Sequence, residues 1–418
     1  MFLIAFIVGA VAIALVLFFD NRIHRSDVQS LEDEVIFSLY GDNVRSAWKT
    51  LQVQTLHGIS EQWNTHYIES TRYSSDKPDV LLLHGYGATS AFTWRVTIPA
   101  LVDKFNVFAI DMPGFGRTEA PESLLNTDMQ DTHDAYCEFY KSAIAQIGIR
   151  QPLVIAHSFG GFVFTQCAAK NPEILSKLVL VSVPGLFPSN GGLDFLWSNY
   201  FYLGLPQNGL KIIGDWAHYL YDIAVYVTSS PWQYHVVRYW HLYHTDDQSM
   251  KSDIMIRKFI KHYAIYSIGR ATSLIPLLRV SAKLPVMTVY GTKDVIVPYQ
   301  QGELIQYLSF DAIKSHVIDG ANHVTYVHDG GIEFSQVVHQ FHSRENDIIN
   351  SEEMDVVIES RVRVAECLEL HIDDWNTYPC VPSYFLSNYL QQQMYSSIRH
   401  IVEYKCRADD HDTDTKGG

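Results

Sequence analysis

Cysteine is scarce in this chain: five residues, Cys137, Cys167, Cys367, Cys380 and Cys406, are scattered through 418. No CxxC pair or metal-ligand spacing occurs among them, which excludes a disulfide framework or a structural zinc site as the organising principle and makes reduced thiols the expectation. Positive charge is also short, with 31 Lys+Arg against 46 Asp+Glu and a net charge of −15. No basic cluster offers the footprint that phosphate binding needs, so nucleic acid is not an expected partner. Charged residues make up only 18% against 47% apolar and 13% aromatic, a balance that excludes an intrinsically disordered chain. Internal repeats are lacking, and nothing in the chain indicates a metal or an organic cofactor.

Long apolar runs are rare, and the one that exists is terminal. Residues 1–19 carry no charge and a single glycine, Gly9, and as a helix would span roughly 28 Å, about the thickness of a bilayer's hydrocarbon core. This reads as a transmembrane anchor. A cleaved signal peptide is the competing reading, but no basic segment precedes the run and no small-x-small site follows it. Arg22 and Arg25, with His24 between them, follow the run, and the positive-inside rule then places the body of the protein in the cytosol.

Residues 20–78 form a polar juxtamembrane linker followed by a leading hairpin from Leu51 to Glu69, with its turn at His57-Gly58. Five short apolar runs follow: Val80 to Leu83, Asn106 to Ile110, Leu153 to Ala156, Leu178 to Val183 and Pro285 to Tyr290. Continuous rather than alternating hydrophobicity is what strands covered on both faces require. Helical periodicity runs between them, clearest from Asp128 to Gln146 with Gly148 as a stop, and again after Ser158 towards Lys170. Strands alternating with helices predict an α/β fold with a mostly parallel, doubly wound sheet. Its first part is expected over 79–185 and its second over 284–342. Between them, 186–283 is too long for an ordinary connection and reads as a lid. The aromatics of that insertion either build the lid's own core, or line an acyl-chain tunnel or dip into the membrane interface. Residues 343–418 form a C-terminal extension, with a helix expected from Pro382 and a polar tail from Ala408.

Chemistry concentrates at four places. The run Leu153 to Ala156 leads directly through His157 into Ser158, Phe159, Gly160 and Gly161 and then a helix. A strand-to-helix turn of this kind exposes a serine Oγ and needs small residues two before and two after it, here Ala156 and Gly160. Ser158 is therefore the candidate nucleophile. A serine needs a base, and the base needs an orienting carboxylate. Asp294 follows the run ending at Tyr290, and His323 follows the apolar segment His316 to Ile318, so both fall at the carboxyl ends of strands, where ligand groups gather in open α/β sheets. Of the 19 histidines, His323 is favoured by its loop position. His157 is expected to face away from the nucleophile, and His328 falls on the following helix. An oxyanion needs two backbone N–H donors, and Tyr86 and Phe159 are the natural pair, Tyr86 lying in the turn His84-Gly85-Tyr86-Gly87.

With these residues the chain resembles the α/β-hydrolase fold serine hydrolases. The similarity rests on HGYG at His84 to Gly87, DMPGFGRT at Asp111 to Thr118, AHSFGG at Ala156 to Gly161, GTKDVIVP at Gly291 to Pro298 and GANH at Gly320 to His323. The first two motifs are similar to those of abhydrolase-domain lipases acting on lysophospholipids, N-acyl phospholipids or cardiolipin, and of their lipase co-activator relative. The resemblance implies a serine esterase or lipase cleaving an acyl lipid or other hydrophobic ester at a membrane, without a cofactor. A His-x4-Asp acyltransferase motif typical of that branch would begin at His323, but here His328 stands five residues on and Asp329 six; a formal match, His241 to Asp246, lies within the lid. A non-catalytic, lipid-binding or lipase-regulating scaffold on the same fold is the alternative.

Overall fold

The computed structural model describes residues 33, 40–55, 58–85, 88–126, 129–184, 274–294, 297, 299–309, 312–323, 330–343 and 363. The expected anchor (1–19), most of the expected lid and the C-terminal extension with its helix from Pro382 lie outside the described residues. Among the described residues, no helix is long and apolar enough to cross a membrane.

Among the described residues, eight strands form one sheet: β1 (Val44–Gln54), β2 (Ser60–Ser70), β3 (Asp79–Leu83), β4 (Asn106–Ile110), β5 (Leu153–His157), β6 (Lys177–Val181), β7 (Val286–Gly291) and β8 (Ile313–Ile318). Their spatial order is β1-β2-β4-β3-β5-β6-β7-β8. The leading hairpin pairs antiparallel and joins β4 antiparallel, while β4, β3, β5, β6, β7 and β8 run parallel. All five residues in each of β3, β4, β5 and β6 are buried, as their unbroken apolar runs require.

The longer helices among the described residues are α1 (Met129–Ile147), α2 (Ser158–Lys170), α3 (Leu274–Ser281), α4 (Gln300–Leu308) and α5 (Gly330–Ser343). Helix α1 buries Tyr136, Phe139, Tyr140, Ala143 and Ile144 at helical spacing and packs against β1 and α2. Helix α3 falls inside the segment read as lid and packs on α2.

The expectation of reduced thiols is corrected here. Cys137 of α1 and Cys167 of α2 form a disulfide, their Cα atoms 5.0 Å apart and 30 residues apart in sequence. Both cysteines lie on the buried faces along which α1 and α2 pack, so helix packing brings together thiols that sequence spacing keeps apart.

Strand order reverses at β3, whose neighbours are β4 on one side and β5 on the other. Leu83 and Ala156 are paired at the carboxyl ends of β3 and β5. The two chain segments leaving these ends therefore start side by side, at the switch point where open α/β sheets place their ligands.

Candidate active site

The chain turns from β5 into α2 within one residue. Ser158 has φ +47°, in the left-handed region that a residue with a Cβ enters only at a cost of about 1–3 kcal/mol. That conformation tolerates no bulk around it. A Cβ on Gly160 would lie 2.3 Å from the carbonyl oxygen of His84, and one on Gly161 would lie 2.3 Å from Val183 Cγ2 and 3.1 Å from the carbonyl oxygen of Ala156. The first turn of α2 thus packs directly on the turn after β3. Ala156, in the position where glycine is usual, is fully buried and accommodated.

Ser158, His323 and Asp294 come together from the ends of β5, β8 and β7. His323 Nε2 lies 3.0 Å from Ser158 Oγ, and its Nδ1 lies 2.9 Å from Asp294 Oδ2. A carboxylate only accepts, so Nδ1 carries the imidazole proton and leaves the Nε2 lone pair to accept from the serine hydroxyl. The Asp294 side chain is fully buried and that of His323 is 15% exposed. The second oxygen of Asp294 accepts from the Val297 N–H at 2.8 Å, so both carboxylate oxygens are engaged. Gly291 and Ala321 position the histidine loop. A Cβ on Gly291 would lie 2.2 Å from the carbonyl oxygen of Ala321, which accepts from Lys293 N–H at 2.8 Å.

The turn after β3 is held from beneath. His84 Nδ1–H donates to the carbonyl of Gly85 at 2.8 Å, and its Nε2 accepts from Met112 N–H at 3.0 Å. Burial holds His84 below the usual histidine range, although the Asp111 charge pulls the other way. A Cβ on Gly85 would lie 2.7 Å from His157 Nδ1 and 3.1 Å from Ser158 Cβ, so glycine is what lets this turn approach the serine. Tyr86 and Gly87 lie outside the described residues. Phe159, the other expected oxyanion donor, occupies the first turn of α2, where helical amides point out along the axis.

Two features were not foreseen from sequence. His157 does not face away: its Nε2–H donates to the carbonyl of His323 at 3.0 Å, and the two rings lie 5.0 Å apart. The reason is geometric, since β5 ends beneath the loop that brings His323 across from β8. The second feature is a buried chain in which Ser46 lies 2.7 Å from His66 Nε2 and His66 Nδ1 lies 2.7 Å from Asp111 Oδ2. The aspartate of the DMPGFGRT motif was the available signal. A Cβ on Gly116 of the same motif, at φ +55°, would lie 2.5 Å from the Asp111 carboxyl carbon, which explains that glycine. Among the described residues, no group of three or more His, Cys, Asp or Glu could hold a metal ion.

Comparison with known proteins agrees with this architecture. The family model described as "alpha/beta hydrolase fold" matches residues 78–329. The chain is similar to an uncharacterized hydrolase, YugF, of Bacillus subtilis (24% identity, covering 60% of this chain and 82% of that protein). It is equally similar to a pimeloyl-[acyl-carrier protein] methyl ester esterase of Yersinia pseudotuberculosis (24%, covering 60% and 87%). Among solved structures, a bacterial membrane phospholipase A superposes with a TM-score of 0.56 at 20% identity, covering 82% of this chain and 97% of that one.

Proposed function

The chain belongs to the α/β-hydrolase family, and from that premise we propose that it is a membrane-anchored serine hydrolase that cleaves carboxylic esters of acyl lipids through a Ser158–His323–Asp294 triad. The observation that carries this reading is the continuous path from the Ser158 hydroxyl through the imidazole of His323 to the buried carboxylate of Asp294, at 3.0 and 2.9 Å.

In this mechanism Ser158 Oγ attacks the ester carbonyl as its proton passes to His323 Nε2. Asp294 does not take the proton; it holds the ring and stabilises the imidazolium. The N–H groups of Phe159 and Tyr86 donate to the oxyanion, a contribution of about 10²–10³ in rate for each such donor. Collapse breaks the bond to the alkoxide, which leaves as the alcohol with the proton from His323, and the acyl group remains on Ser158. Water then loses a proton to His323, attacks the acyl carbonyl and releases the carboxylic acid, regenerating the serine. Water is the acceptor proposed, because the aspartate spacing for acyl transfer is absent after His323.

Support for a lipid substrate comes from the apolar run 1–19 and from the aromatic residues of 186–283, which would form a lid over the strand ends. The phospholipase and methyl esterase named above are similar proteins whose names carry ester substrates. Lysophospholipid, N-acyl phospholipid and cardiolipin head groups are the ones the motif resemblance proposes.

Labelling by a fluorophosphonate probe tests the reading. Wild-type protein is expected to be labelled and to hydrolyse short-chain nitrophenyl esters. Ser158→Ala should abolish labelling and lower turnover by several orders of magnitude, towards the roughly 10⁶-fold loss typical of a missing nucleophile. A folded wild type that stays unlabelled and inactive would overturn it in favour of a non-catalytic scaffold.

A further inference from the structure

His323 has a longer way to travel than either of its partners. Its strand, β8, is three positions from β5, a distance of about 14 Å at ordinary strand spacing. The loop after β8 must cross the ends of β7 and β6 before its imidazole can meet Ser158. Near its start this loop is held by the Ala321 carbonyl against Gly291 and Lys293. At His323 itself, His157 supplies a second hold.

We propose that His157 is the positioning residue of this site: its neutral ring, protonated at Nε2, donates to the backbone carbonyl of His323 and fixes that residue over Ser158. The claim deepens the triad reading above and rests on it for its kinetic consequence. Three contacts make the case. The donor distance to the carbonyl is 3.0 Å. The rings of His157 and His323 pack with centroids 5.0 Å apart at an interplanar angle of 54°. The Nδ1 edge fills the space above Gly85 so closely that a Cβ there would come within 2.7 Å. One buried ring therefore touches the base loop and the turn after β3, while its own backbone leads directly into Ser158. A carbonyl can only accept, so the tautomer is fixed by the contact itself.

Among the ionisable groups whose charges reach His157 are His323 on the loop above and His84 in the turn beside it. Burial, first, and then the His323 charge hold His157 well below the usual histidine range, with His84 acting in the same direction, and these outweigh the hydrogen bond to the His323 carbonyl, which pulls upward. A neutral neighbour lets His323 take up a proton during turnover without opposition from a second imidazolium at its side.

Two variants and one spectroscopic measurement on the full chain test this. His157→Leu keeps bulk but removes the donor, and is expected to slow fluorophosphonate labelling by about 100-fold, the scale of a 1 Å misplacement, with KM for a nitrophenyl ester nearly unchanged. His157→Gln can still donate an amide N–H to the carbonyl and should restore most of the rate. Independently of activity, ¹⁵N-imidazole NMR of the wild type should show His157 neutral with the proton on Nε2 at neutral pH. Full labelling of His157→Leu, a glutamine variant as slow as the leucine one, or a His157 ring protonated at Nδ1 would each overturn the proposal. Failure of the triad reading would look different: wild type and both variants would all be unlabelled, while the NMR spectrum still decided whether His157 holds the His323 loop.

Discussion

Asp111 follows β4 with a carboxylate that accepts from Ser90 N–H at 2.8 Å, Arg117 N–H at 3.1 Å and His66 at 2.7 Å. Burial by itself would raise its pKa, but the charge and hydrogen bond of His66, with smaller help from His84 and Ser90, hold it below the ordinary carboxylate range. A carboxylate whose folded pKa is depressed contributes stability that is fully present above its unfolded pKa of about 4 and is lost as pH falls towards the folded value. Asp111→Asn is therefore expected to cost about 3–5 kcal/mol at pH 7, the scale for removing one partner of a buried pair. The gap between variant and wild type should narrow as pH is lowered from 4 to 3 in urea unfolding; a gap independent of pH would refute the ionic account. The positions of the candidate site residues were legible in the sequence where local spacing determines them. Ser158 follows its strand directly, and Asp294 and His323 follow theirs by a few residues. The roles of His66 and His157 were not legible, because each depends on a partner brought over by another strand.

At the scale of elements, hydrophobic runs translated into strands wherever both faces are covered. β3, β4 and β5 emerged within a residue of their expected limits. β8 was visible only as His316 to Ile318, because Lys314, Ser315 and His316 interrupt its apolar pattern and only Ile313 and Ile318 are buried along it. That is the signature of a strand at the sheet's edge, and it is why sequence pattern understated it. Helix pairing was less legible still. The contact between α1 and α2 brings Cys137 to Cys167, and Asn171 at the end of α2 donates to Cys137 Sγ at 3.3 Å. This bridge ties the helix that begins at Ser158 to the helix packed on β1. Closing a loop of this length should stabilise the fold by about 3.6 kcal/mol in the chain-entropy account. Reductant, or replacement of both cysteines by alanine, is expected to lower the melting temperature by several degrees. Alkylation of the unreduced, denatured protein should leave these two residues unmodified. Modification of both without prior reduction would show that the bridge does not form.

For the whole molecule, the sheet places Ser158, His323 and Asp294 along one edge, and the proposed activity raises the question of what would bring that edge to a substrate. The apolar run 1–19 is the proposed answer. The disulfide removes the thiol argument for a cytosolic body, so Arg22 and Arg25 alone now argue for that side. Anchoring can be tested apart from folding by shortening the chain ahead of Asp33, to which Arg117, its side chain only 7% exposed, donates at 2.7 Å. A chain starting at residue 26 keeps that ion pair and the entire sheet. It is expected to remain in solution after ultracentrifugation and to react with the fluorophosphonate as the full chain does, whereas the full chain should stay in the membrane pellet through an alkaline carbonate wash. Release of the full chain by carbonate would eliminate the transmembrane reading. Sedimentation of the shortened chain with membranes would instead assign membrane binding to another surface, for which the aromatic insertion 186–283 is the candidate, since rings at an interface can hold a protein to lipid without spanning it.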